Sequence, residues 1–62
     1  MDDNLRIAEA VRQACLAAAL QAYEDAGMSG LCEAGRWEYV IDTLRHLELR
    51  TIVQQIERQA AV

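Results

Sequence analysis

Three side chains in this sequence have the chemistry for covalent, redox or metal work: Cys15, Cys32 and His46. A thiol in the first turn of a helix ionises more readily, which makes Cys32, close to the start of the second helical stretch, the candidate reactive thiol. A catalytic or metal-bound histidine needs convergent partners. No CxxC, HxxxH or ExxH spacing occurs, and His46 lies fourteen residues from Cys32. The weight of the pattern is structural. Cys15 falls among alanines as a core residue. Cys32 reads as a small, partly buried side chain, and His46 as a solvated residue near a helix end, where a cation is favoured. No catalytic residue, metal ligand or cofactor site is expected, and the chain reads as a non-enzyme.

A second group carries recognition chemistry. At helical spacing, Arg36, Tyr39 and Thr43 fall together on one edge of the second helix, with Cys32 beside them. A tyrosine and an arginine there can form a mixed polar and aromatic contact patch. Trp37, the only tryptophan, is of the type that anchors interfaces. It also heads a regular apolar stripe, so a place in the core or in a homodimer interface is its leading assignment.

The elements that hold these residues follow from the spacing of apolar positions in a proline-free chain. The segment Ala26-Gly27-Met28-Ser29-Gly30 divides it into two arms. A first helix is predicted over about residues 3–26, capped by Asp2, Asp3 or Asn4 and ended by Gly27 as a C-terminal cap. On its wheel Ile7, Val11, Ala14, Cys15, Ala18 and Ala22 share one face, which Leu5, Leu16 and Tyr23 extend, with Leu20 just beyond. That arc is too wide for a single neighbour, and its alanine centre admits a closely packed backbone. Ser29 is the expected N-cap of a second helix, over about 30–46, whose start anywhere from 29 to 36 is left open by Gly30 and Gly35. Ala34, Trp37, Val40, Ile41, Leu44 and Leu47 form its stripe. Leu49, Ile52, Val53, Ile56 and Ala60 lie on a face rotated by roughly 130° from that stripe, so a bend or a third helix over about 48–60 is predicted. In a hairpin turning near Met28, Cys15 sits about 13 Å along the axis from the level of Cys32, too far for a disulfide.

The fold class is therefore all-α: a hairpin or three-helix chain in a single domain over 1–62. Sixty-two residues with many alanines and no phenylalanine bury little. Assembly into a helical bundle as a homodimer or higher oligomer is expected, through Val11, Ala14, Cys15, Ala18, Ala22, Trp37, Ile41, Leu44, Ile52 and Ile56. The net charge of −4, from ten acids and six bases, argues against nucleic acid or an anionic membrane as partner. All six bases are arginine; with abundant alanine this suggests GC-rich coding and a bacterial source. The acidic start, Met1-Asp2-Asp3-Asn4, is not expected to be a signal peptide, and no stretch approaches the roughly 20 apolar residues of a membrane span. A cytoplasmic protein is expected.

Two resemblances bear on function. Gly27-Met28-Ser29 resembles the turn of helix-turn-helix DNA readers, but Tyr23 stands where those carry alanine. The segment that follows, 31–37, offers Glu33, Gly35 and a single base, Arg36, to a groove. The layout is similar in length and turn position to the repressor-of-primer family, which implies a dimeric four-helix bundle binding RNA. No residue motif is shared, so no functional residue carries over. The expected function is a small non-catalytic interaction protein, an adaptor, modulator or subunit that works by contact with itself and with a protein partner. The alternative is a nucleic-acid-binding regulator of the helical-hairpin type.

Overall fold

A computed structural model describes residues 2–60 and contains three helices, α1 (Asp3–Met28), α2 (Glu33–Arg45) and α3 (Leu49–Ala60). The Asp2 carboxylate caps α1 by accepting from the Asn4 amide at 2.9 Å. Asp3 adds negative charge at the positive end of the helix dipole. With 26 residues α1 is about 39 Å long. It accounts for the longest dimension of a molecule measuring 43 × 18 × 15 Å.

The turn differs from the sequence expectation by three residues. Gly27 lies inside α1, and Ser29 is the C-cap of α1 rather than the N-cap of α2. Gly30 ends the helix, with φ +83°, the only positive φ among the described residues. The Gly30 amide donates to the Gly27 carbonyl at 3.0 Å and the Leu31 amide to the Ala26 carbonyl at 3.1 Å. This pair of bonds is the Schellman arrangement, which requires the left-handed residue one position past the cap. Gly30 can supply that conformation without strain, and Gly27 is then free to continue the helix. The N-cap of α2 is Cys32, whose side chain makes no capping bond.

The second arm is divided. α2 returns along the C-terminal half of α1, and α3 packs on α1 but not on α2. Neither glycine nor proline marks the corner at 46–48. The cause is the change of apolar phase: a continuous helix would turn the stripe Leu49, Ile52, Val53 and Ile56 away from α1. The break restores contact, leaving Ile52, Val53 and Ile56 half-buried. Local bonds hold the corner. The Leu47 amide donates to the Leu44 carbonyl at 3.3 Å in a tightened last turn. His46 Nδ1 lies 2.9 Å from the Asp42 carbonyl, which can only accept, so this nitrogen carries the proton. The Glu48 carboxylate accepts from the Arg50 amide at 3.3 Å.

The core is thin. Among the described residues the buried hydrophobics are Ala22, Ala26 and Val40. The Trp37 stripe expected to be core reaches it only through Val40. Leu44 and Leu47 are half-buried, while Ala34, Trp37 and Ile41 are exposed. Alanines at the contact bring the helix axes close together, leaving little room between them for large side chains.

The turn assignment gives opposite expectations for two glycines. Gly30→Ala places a β-carbon on a left-handed residue and lowers stability by about 1 kcal/mol. Gly35→Ala, whose β-carbon meets the Leu31 β-carbon at an ordinary 3.4 Å, raises stability by up to about 1 kcal/mol through helix propensity. Urea unfolding followed by circular dichroism measures both, and the reverse order contradicts the turn described.

Candidate functional site

The sequence around the turn converges on one side chain, Tyr23. Its hydroxyl donates to Glu33 Oε1 at 3.1 Å. Its ring meets the Trp37 ring edge-on, with centroids 6.2 Å apart and planes inclined by 64°. On the same ring lies the Arg36 guanidinium, 5.2 Å from the centroid. Arg36 also donates from Nε to the Leu31 carbonyl at 3.3 Å. A β-carbon added at Gly27 would stand 3.0 Å from the guanidinium carbon, so the bare glycine is what lets Arg36 lie flat there. Arg36 thus joins the end of α1, the turn and the first turns of α2.

This lock positions Trp37. One edge packs against Tyr23, and the rest faces outward, 57% exposed. Across a shallow groove of about 240 Å³ stand Leu16 and Leu20 of α1, with Ala19, Tyr23 and Val40 completing its lining. Leu16 and Leu20 are 52% and 66% exposed. The apolar face continues along α2 through Ile41, in a second concavity of about 490 Å³ that Trp37 shares with Glu38, Asp42 and Arg45. Leu16, Leu20, Trp37 and Ile41 thus form an exposed apolar strip over both helices, charged at its outer edge.

The other residues singled out from sequence occupy different places. Ala22 is buried within the chain, and Val11, Ala14, Cys15 and Ala18 are half-buried on α1. The alanine face expected to meet a neighbouring molecule is, at Ala22, buried within the chain, as is Ala26 one turn on. Leu44, Ile52 and Ile56 are half-buried on the returning helices. Of the recognition group, Arg36 is committed to the Tyr23 lock, Thr43 is half-buried, and Tyr39 and Cys32 are exposed. Tyr39 lies on the flank of α2 away from Trp37. Cys15 and Cys32 are free thiols. Among the described residues no group of three or more His, Cys, Asp or Glu is placed to hold a metal ion.

Leu16 and Leu20 are the site residues that sequence reasoning underweighted, having placed them at the margin of the α1 face. The width of the apolar arc was their signal, since an arc facing two neighbours has two centres. Comparison of the chain with protein-family models, curated proteins and solved structures finds no match.

The Arg36 lock is testable by a double-mutant cycle. Arg36→Ala removes a cation–π contact and a hydrogen bond and lowers stability by about 1–2 kcal/mol. Gly27→Ala is close to neutral in the native chain, where its propensity gain opposes displacement of Arg36. In the Arg36→Ala background it stabilises by about 1 kcal/mol. Additive urea-unfolding energies are the result that contradicts the lock.

Proposed function

We propose that this chain is a small non-catalytic interaction module that acts through protein–protein contacts as a homo-oligomer. One observation carries this reading: the large apolar side chains Leu16, Leu20, Trp37 and Ile41 lie together on the surface, while among the described residues the core is two alanines and a valine. A monomer seldom exposes such a face without using it.

The dimensions support the same reading. The chain exposes 5013 Å² at a mass of 6.9 kDa, against about 4,000 Å² for a compact monomer of that mass. Its radius of gyration is 14.2 Å, against about 10.6 Å for a compact chain of this length. The excess of about 1,000 Å² is close to one partner's share, about 800 Å², of a standard interface.

The arginines favour protein contact over nucleic acid. Of the six arginines, Arg12 pairs with Glu9 at 3.1 Å, Arg6 approaches Asp3 at 4.0 Å and Arg36 lies in the Tyr23 lock, while Arg45, Arg50 and Arg58, without an ion pair among the described residues, stand in a chain of net charge −4. A phosphate backbone is bound by clustered, uncommitted bases. Among the described residues no helix is long and apolar enough to cross a membrane.

Sedimentation equilibrium at micromolar concentration is expected to give a mass above 6.9 kDa. Leu20→Glu is expected to weaken association at least tenfold, because burying one leucine contributes about 1.5–3 kcal/mol. Tyr39→Glu, on the far flank of α2, should leave it unchanged. A folded monomer at these concentrations, or equal effects from both substitutions, refutes the reading.

A further inference from the structure

The corner between α2 and α3 is bent without a breaker residue. His46 keeps its helical bond, the amide donating to the Asp42 carbonyl at 3.2 Å, and the Ile52 amide donates to the Glu48 carbonyl at 3.4 Å. Between them, among the described residues, the amides of Glu48, Leu49 and Thr51 donate to no backbone carbonyl, and that of Arg50 donates to the Glu48 carboxylate. In an unbroken helix these amides would reach the carbonyls of Leu44, Arg45, Leu47 and His46 respectively. The side chains at 46–48 are all compatible with a helix. Nor does α3 make a contact with α2 that straightening would cost. What the bend secures is the contact of α3 with α1.

Straightening would also re-aim the apolar residues of α3. At 100° per residue, Ile41 and Ile52, eleven positions apart, differ by only about 20° round a continuous helix. Ile52, and Ile56 after it, would then extend the exposed edge begun by Trp37 and Ile41. Trp37 is level with Tyr23, which brings Ile56 of a straight arm level with Leu5. Leu5 is 66% exposed, and at helical spacing it shares a flank of α1 with Leu16 and Leu20. The half-buried residues on the N-terminal half of α1, Ile7, Ala10, Val11 and Ala14, lie on the other flank.

We propose that the corner at 46–48 is a hinge that straightens when two copies associate, merging α2 and α3 into one helix whose Ile52 and Ile56 join the exposed strip in contact with the second copy. The inference rests on the homo-oligomer reading and adds to it the form of the chain in the oligomer and two further contact residues. The isolated chain stays bent, because straightening uncovers Ile7 and Val11 and leaves Ile52 and Ile56 in water. A second copy covers Ile52 and Ile56, and the four amides gain helical bonds, so association selects the straight form. The merged helix over 33–60 is about 42 Å long, close to α1 at about 39 Å, so both arms contribute to the flank over its whole length. A second copy also fits the area. The side of the molecule measures 43 × 18 Å, roughly 770 Å², against the roughly 800 Å² that each partner of a standard interface buries.

Amide hydrogen exchange followed by NMR, on dilute and on concentrated protein, tests the hinge. The amides of Glu48, Leu49 and Thr51 are expected to exchange at least tenfold more slowly in the dimer than in the monomer. Inserting Gly-Ser-Gly between Leu47 and Glu48 interrupts the merged helix but lets α3 rest on its own α1, since a longer loop costs little. Circular dichroism confirms that the helices persist. Sedimentation equilibrium is expected to show the dissociation constant of this variant raised at least tenfold, because Ile52 and Ile56 are withdrawn from the interface. A native protein that stays monomeric overturns the homo-oligomer reading itself. A native dimer whose corner amides exchange as fast as in the monomer, or whose dissociation constant the insertion leaves unmoved, keeps that reading and overturns the hinge.

Discussion

The packing of an arginine on a glycine determines how this chain turns back on itself. Arg36 lies across the bare backbone of Gly27, over the Tyr23 ring and within hydrogen-bond reach of the Leu31 carbonyl. These contacts tie the end of α1 to the beginning of α2, on either side of the Gly30 turn. They set the side from which α2 approaches α1, and with it the edge that Trp37 turns toward Tyr23. Everything downstream inherits that angle: the burial of Val40, the groove between the helices and the outward position of Ile41. The bonds involved are individually modest and solvent-accessible. Their importance is geometric, because they act where a small change of direction is carried along the whole returning arm.

That approach divides the apolar residues by size. The small ones, Ala22 and Ala26, face inward and admit a close helix contact. The larger Leu16, Leu20, Trp37 and Ile41 do not fit between backbones so near and are left on one flank. A hairpin built this way has a well-defined shape and little buried area. The fold and the interaction surface are thus two results of one packing choice. The proposed assembly uses the large side chains that the monomer cannot enclose.

Much of the architecture is legible in the sequence, because it rests on periodicity. The helical arms follow from the apolar spacing, and the phase change between the Trp37 and Ile52 stripes announces a bend or a third helix near Leu47 without deciding between them, since no breaker residue marks the corner; the structure has two helices there. What could not be read depends on choices between equivalent candidates. Gly27 and Gly30 are both credible helix ends, and the deciding factor is where the Schellman bonds close, a matter of three-dimensional register. Ser29 looks like an N-cap by type but is used at the end of α1. The reach of Arg36 to Tyr23 and Gly27 crosses thirteen and nine positions, and no local pattern announces it. The wheel of α1 showed an arc broad enough for two neighbours without showing which part the chain itself would cover. Of the alanines taken for the intermolecular contact, Ala22 is buried within the chain, and Ala14 and Ala18 are half-buried. Leucine, taken for its margin, proved to be the exposed strip.

The one-sided attachment of α3 has a consequence for how the molecule breathes. The α1–α2 hairpin is bound by the turn, the aromatic pair and the arginine, whereas α3 rests on α1 alone through half-buried residues and joins α2 by a three-residue corner of which Leu47 is half-buried. Detaching α3 disturbs none of the contacts around Tyr23. The chain therefore comprises two cooperative units of unequal rank, and α3 can lift with the hairpin intact. Amide protons of α3 exchange with solvent through that local opening, while those around Tyr23 and Val40 wait for the hairpin itself to come apart.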